Sequence, residues 1–138
     1  MIVYKELVMK KNTAINLRCF INSSTLYQDN YITVHPHWHN EVEILYMQRG
    51  TAFQQINDQT FSISKGDLVI IRNQDIHATY TLQPLDTDII VLQFSANAFD
   101  VLGPTVAENI ELFSDHTALP YPIKTDTAIG KELFRLVQ

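Results

Sequence analysis

The 138 residues contain one cysteine, Cys19. No intrachain disulfide can form, and a reducing compartment is the simple reading. Basic residues are missing from a long stretch. Residues 73–123 hold no lysine or arginine, yet Asp75, Asp86, Asp88, Asp100, Glu108, Glu111 and Asp115 fall there. With a formal net charge of −5, such a surface repels phosphates, which makes these residues alone a poor binder of nucleic acid or anionic membrane. Long apolar runs are missing too. The longest, residues 68–71 and 89–92, fall far short of the roughly 20 residues that span a bilayer. The N-terminus, MIVYKELVMKKN, places Lys5 and Glu6 inside its apolar stretch, where a signal peptide needs an unbroken block. These absences point to a cytoplasmic protein with no membrane partner. No internal repeat or low-complexity segment is visible.

What is present suits one domain with a real core: apolar residues make up 46% of the chain. The first two-thirds reads as short strands. Residues 14–21 alternate loosely. Residues 43–47 (EILYM) are apolar on both parities after the first, as in a strand covered on both faces. Residues 51–56 and 60–63 flank Asn57-Asp58-Gln59, a hairpin connection. Ser64-Lys65-Gly66-Asp67 is a further turn. Strands follow over 68–71, 76–82 and 88–94. Short strands punctuated by turns predict a sandwich or barrel. The last third changes character. Phe99, Leu102, Val106, Ile110 and Phe113 fall near helical spacing, interrupted by Gly103-Pro104. Thr125-Asp126 can cap a helix whose stripe is Ile129, Leu133, Leu136 and Val137. That stripe still runs at Gln138 with no closing signal, which suggests a longer natural protein.

The most informative stretch is HPHWHNEVE, residues 35–43. Read as one strand, His35, His37, His39, Glu41 and Glu43 share a face. An amphipathic strand wetted on that side would explain them. However, the same parity runs on into Leu45 and Met47, which belong inside. The polar residues then face a barrel interior, where a ligand cavity takes inward polar groups. Two histidines at i and i+2 on a strand can also grip one ion, with a carboxylate as third ligand and His77 as fourth. His37, His39, Glu43 and His77 are therefore candidate ligands for a divalent zinc, iron, manganese or nickel ion. His116 reads as a loop histidine.

These residues resemble the cupin motifs. The first motif asks for His-x-His, three or four residues, Glu, six residues and Gly; His37, His39, Glu43 and Gly50 match it. The register through His35, His37 and Glu41 puts Gln48 where the glycine belongs, which leaves His35 and Glu41 as bystanders. In the second motif Gly66 and His77 are correctly spaced, but Arg72 replaces the proline, Gln74 the glycine and Thr81 the asparagine. The motif keeps its ligand and is expected to lose its turn. More narrowly, HWHNEVEILYMQRG followed by KGDLVIIRNQDIH looks like the effector-sensing domain of AraC-type transcriptional regulators. The resemblance spans about residues 30–95.

That resemblance implies a mainly β fold: a cupin-type double-stranded β-helix (jelly-roll) barrel over residues 1–95, then C-terminal helices over 96–138 for dimerisation and linkage. It implies a small polar effector in the barrel, met by His37, His39, Glu43 and His77. Trp38 would stack or pack, and Arg18 and Arg72 would recognise an anionic group. It implies a homodimer through the C-terminal helix and contact with DNA only through a helix-turn-helix region absent from these residues. On this reading the chain is no enzyme. The alternatives are a metal-dependent cupin enzyme, a dioxygenase or isomerase, and a stand-alone binding cupin.

Overall fold

The computed structural model describes residues 4–5, 17–95 and 122–124. The described strands are β1 (Tyr4–Lys5), β2 (Leu17–Ser23), β3 (Thr33–Trp38), β4 (Val42–Arg49), β5 (Thr51–Ile56), β6 (Gln59–Ser64), β7 (Asp67–Ile71), β8 (His77–Tyr80), β9 (Asp88–Phe94) and β10 (Ile123–Lys124). They form two five-stranded sheets, in order β1-β3-β8-β5-β6 and β10-β7-β4-β9-β2. Every pairing is antiparallel except β1 with β3. From β2 to β9 the chain passes between sheets at each connection except the β5–β6 hairpin, so the two inner faces are built from alternating segments.

The hydrophobic pattern explains the arrangement. Ile32, Leu45, Met47, Ile63, Val69 and Ile89 pack between the sheets, each burial stabilising by roughly 1.5–3 kcal/mol. All five residues of β7 are buried, and both parities of β4 are buried through Leu45. Such strands read as continuous apolar runs because neither face is wet. The expected hairpin over 51–63 forms, with Ile56 opposite Gln59 and Asn57 at φ +52°. Gly50 closes the connection between β4 and β5 at φ +82°; a Cβ there would lie 2.4 Å from the Asp86 carbonyl oxygen. The glycine of the first motif is thus a close-approach position.

Two expectations change. Residues 34–44 are not one strand. β3 belongs to the first sheet and β4 to the second, and His39–Glu41 bridge them. Within β3 the register shifts between Val34 and His37. The extra residue sits at His35-Pro36, a bulge where proline's missing N–H costs no ladder bond. The regular alternation from His35 to His37 is therefore broken; His35 is exposed and His37 buried. The second change concerns the turn before β8. The Arg72 carbonyl oxygen accepts from the Asp75 amide at 3.1 Å, and Gln74 takes φ +68°. The turn survives with glutamine in the glycine's backbone conformation. Asp75 supports it by accepting from the Arg72 amide and from Asn57 Nδ2.

The expected C-terminal helices, including the one from Asp126, lie outside the described residues, as does His116. Among the described residues the helical pieces are two 3-10 turns, Ser24–Leu26 and Gln28–Asn30. Within the segment assigned to helices, Ile123–Lys124 instead adds a strand to the edge of the second sheet against β7, with Lys124 Nζ 2.6 Å from Asp67 Oδ1.

Candidate ligand and metal site

Three histidines meet at one end of the barrel. His37 and His77 are paired in register on β3 and β8 of the first sheet. His39 arrives from the crossing between sheets. The three ring centroids lie 4.2 to 5.7 Å apart, and each histidine is at most 4% exposed. Facing them from the second sheet is Glu43, with Oε1 3.7 Å from His39 Nε2 and Oε2 3.5 Å from His77 Nε2.

The ring orientations have a common cause. His37 Nδ1 lies 2.7 Å from the His35 carbonyl oxygen, His39 Nδ1 2.9 Å from that of Glu41, and His77 Nδ1 2.9 Å from that of Asp75. A carbonyl oxygen only accepts, so each Nδ1 holds the proton and each Nε2 presents a lone pair. His35 and Glu41, expected as bystanders, thus act through their backbones. The second motif's turn joins the same scaffold, since the Gln74 amide donates to the His39 carbonyl at 3.0 Å.

This donor set fits a divalent metal. One ligand atom from each histidine lies within 4.8 Å of the others, and His77 Nε2 is buried without a hydrogen-bond partner among the described residues. Imidazoles pinned at Nδ1 by carbonyl groups are the usual support of Nε2 metal ligands. The separations from Glu43 to the imidazoles are near the roughly 3.3 Å between neighbouring donors around tetrahedral zinc.

The electrostatics favour a deprotonated site. Burial pushes the Glu43 carboxyl up, but the adjacent His39, the charge of His77 and the Gln93 hydrogen bond outweigh it, so it lies below the ordinary carboxylate value. Burial also pushes His77 down. Glu43 and the Asp75 carbonyl oppose this, while His37 and His39 add to it, and the net direction is down. A carboxylate and a neutral imidazole are the forms that bind metals or accept from a ligand hydroxyl.

A cavity of about 320 Å³ opens onto this cluster. His37, Glu43 and His77 line it, and His39 lies behind them. Arg18 lines it as well, from β2. Arg72 is buried but sits in the turn before β8, away from the cavity; Trp38 is half-buried and does not line it either. Gln93 was not singled out from the sequence. It lies on β9 between Arg18 and Glu43 in register, and its Nε2 donates to Glu43 Oε1 at 2.6 Å. The signal was there to read: a lone amide within the apolar run DIIVLQF.

The family model for the AraC-like ligand binding domain matches residues 23–101. The chain belongs to that family. It is also 24% identical over 117 residues to YdeC of Bacillus subtilis (strain 168), an uncharacterised HTH-type transcriptional regulator. That match covers 85% of this chain and 39% of the relative. Among solved structures, a cupin superfamily protein from Desulfitobacterium hafniense DCB-2 aligns with TM-score 0.51 at 13% identity, covering 62% of this chain and 72% of that one. A Cupin 2 conserved barrel domain protein from Salinispora arenicola CNS-205 aligns with TM-score 0.50 at 14% identity, over 70% and 76% of the two chains. These likenesses establish a mainly β cupin barrel. No helix among the described residues is long and apolar enough to cross a membrane.

Proposed function

We propose that this AraC-like domain is the effector-sensing part of a bacterial transcription regulator. A small polar molecule enters the barrel cavity and meets His37, His77 and Glu43, with His39 behind. The observation that carries the reading is the buried cluster of pinned imidazoles and an ionised carboxylate at the end of a cavity, within a ligand-binding family. The regulator context is supported by the likeness to YdeC, and by an acidic composition that leaves DNA to another segment. Binding would change how a DNA-binding region is presented, which requires different ligand affinity in two states. On this reading residues 1–95 sense, residues 96–138 link and dimerise, and the seam is the helix carrying Leu133, Leu136 and Val137.

The first test is the native polypeptide past Gln138. A basic segment of roughly a hundred residues with two helix-turn-helix patterns fits this reading; a native chain ending near Gln138 defeats it. Charged residues at Leu133 and Val137 should favour monomers in sedimentation. An unchanged profile removes that helix from the dimer.

A second reading rests on the metal-like donor set. His37, His39, His77 and Glu43 would hold a divalent ion, in a sensor or in a metal-dependent enzyme. Such an ion would supply Lewis-acidic contact to a ligand oxygen. Metal analysis of protein purified without a nickel column is the test. Stoichiometric metal, lost on His39→Ala, supports it, and metal-free protein with intact ligand binding removes it.

A further inference from the structure

Among the described residues the cavity carries one cationic side chain, Arg18, and its surroundings restrict what it can bind. Arg18, Gln93 and Glu43 form one row across β2, β9 and β4, all on the inner face. Arg18 and Glu43 do not meet. Two strand spacings separate their backbones, about 10 Å, and Gln93 stands between. Gln93 accepts from Arg18 Nη1 at a long 3.5 Å and donates to Glu43 at 2.6 Å. The Glu43 carboxylate thus takes its hydrogen bond from Gln93 and not from Arg18. Among the described residues no carboxylate lies within ion-pair distance of Arg18.

The guanidinium is also held in place. Its carbon lies 4.4 Å from the centroid of the Phe20 ring, two residues along the same inner face. This contact restrains the guanidinium and leaves N–H groups for a partner. Those groups suit a planar carboxylate, which takes two parallel N–H bonds. One cationic side chain, with the Glu43 carboxyl lining the same cavity, suits a single carboxylate better than a phosphate dianion. Nearby, Tyr27 donates to Asn22 Oδ1 at 3.0 Å, and both line the wall.

We infer that the cavity takes a small hydroxycarboxylate, with its carboxylate on Arg18 and its hydroxyl oxygens toward His37 and His77. This rests on the proposed ligand-binding role of the cavity and names the class of ligand. A volume of about 320 Å³ lies at the small end of ligand pockets. A ligand reaching from β2 to the histidines across that width is a short chain or a single ring.

The test is calorimetric titration of the full native polypeptide. The probes are carboxylates of three to seven carbons, each beside a neutral counterpart and a phosphate ester; glucuronate, glucose and glucose 6-phosphate make one such set. The expected result is that binders are carboxylates, held at least tenfold tighter than their neutral counterparts, as charge-assisted hydrogen bonds provide. Arg18→Gln should erase that ratio and Arg18→Lys restore part of it, both at an unchanged melting temperature. His37→Ala should weaken carboxylate and neutral members alike. Neutral members binding equally, a phosphate preference, or a ratio surviving Arg18→Gln overturns the carboxylate assignment and leaves the ligand-binding role standing. Binding by no member of any set overturns both.

Discussion

Gln93 holds Glu43 in position across the second sheet. Its amide donates to Glu43 Oε1 at 2.6 Å from the adjacent strand, and the other carboxylate oxygen is left 3.5 Å from His77. A neutral side chain therefore sets the rotation of the buried acid that faces the histidines. It does so without adding charge to the cavity.

Gln93→Leu keeps the strand and its burial but removes that donor. A buried carboxylate that loses a hydrogen bond costs about 1–3 kcal/mol. Urea unfolding at pH 7 should show a midpoint lowered to match. An unchanged midpoint would mean that Glu43 does not depend on Gln93.

Acid should weaken the fold in two stages. His77 lies below its ordinary value of 6.5 when folded, so below that pH the unfolded chain binds a proton that the folded chain refuses. Its contribution is full above 6.5 and is lost as pH falls. Glu43 lies below 4.5 when folded; its contribution is full above that value and is lost as pH falls through the folded value. Stability measured from pH 8 to 3 should thus decline from the mid-sixes downward. His77→Gln should flatten the upper part of the decline and Glu43→Gln the lower. A flat wild-type curve across this range would contradict both assignments.

Gln74→Gly should stabilise the protein. Gln74 sits at φ +68°, a conformation that costs a side-chain-bearing residue about 1–2 kcal/mol and glycine very little. Glycine's extra freedom when unfolded offsets part of this, leaving a gain of up to about 1 kcal/mol. Thermal unfolding should register a rise of a few degrees. A fall would mean that the glutamine side chain contributes more than its backbone costs.

Gly50→Ala should act in the opposite direction. The new methyl would meet the Asp86 carbonyl and Thr87 Oγ1 at 2.4 and 2.7 Å, at φ +82°. Strain and overpacking together should cost about 2–4 kcal/mol. Chemical unfolding checks this, and a loss below 1 kcal/mol would show that the connection before β5 can move away.

Much of the barrel was legible because period-two patterning and turn residues agree along residues 43–94. The all-apolar β7 and the hairpin at Asn57 carry strong local signals. The convergence of His37, Glu43 and His77 followed from motif spacing, though one step of the supporting reasoning fails. The shared parity of residues 35–43 breaks at the Pro36 bulge and again where the chain changes sheets. Bulges and sheet changes arise from tertiary pairing, and no local pattern encodes them. Substituted turn residues misled for a related reason. Gln74 adopts glycine's conformation because Asp75, Asn57 and the His39 carbonyl hold its neighbours in place. Gln93 escaped attention because its value depends on Glu43, 50 residues away.

The histidines at 37 and 77 belong to one sheet, while Glu43 and Gln93 belong to the other. Anything gripped by both groups is a cross-tie between layers that share no ladder of hydrogen bonds here. Pulling the layers apart would first have to release it. Occupancy should therefore register as slower amide exchange in β8 and β9 together, a mechanical signature that reports filling whatever the chemical nature of the occupant.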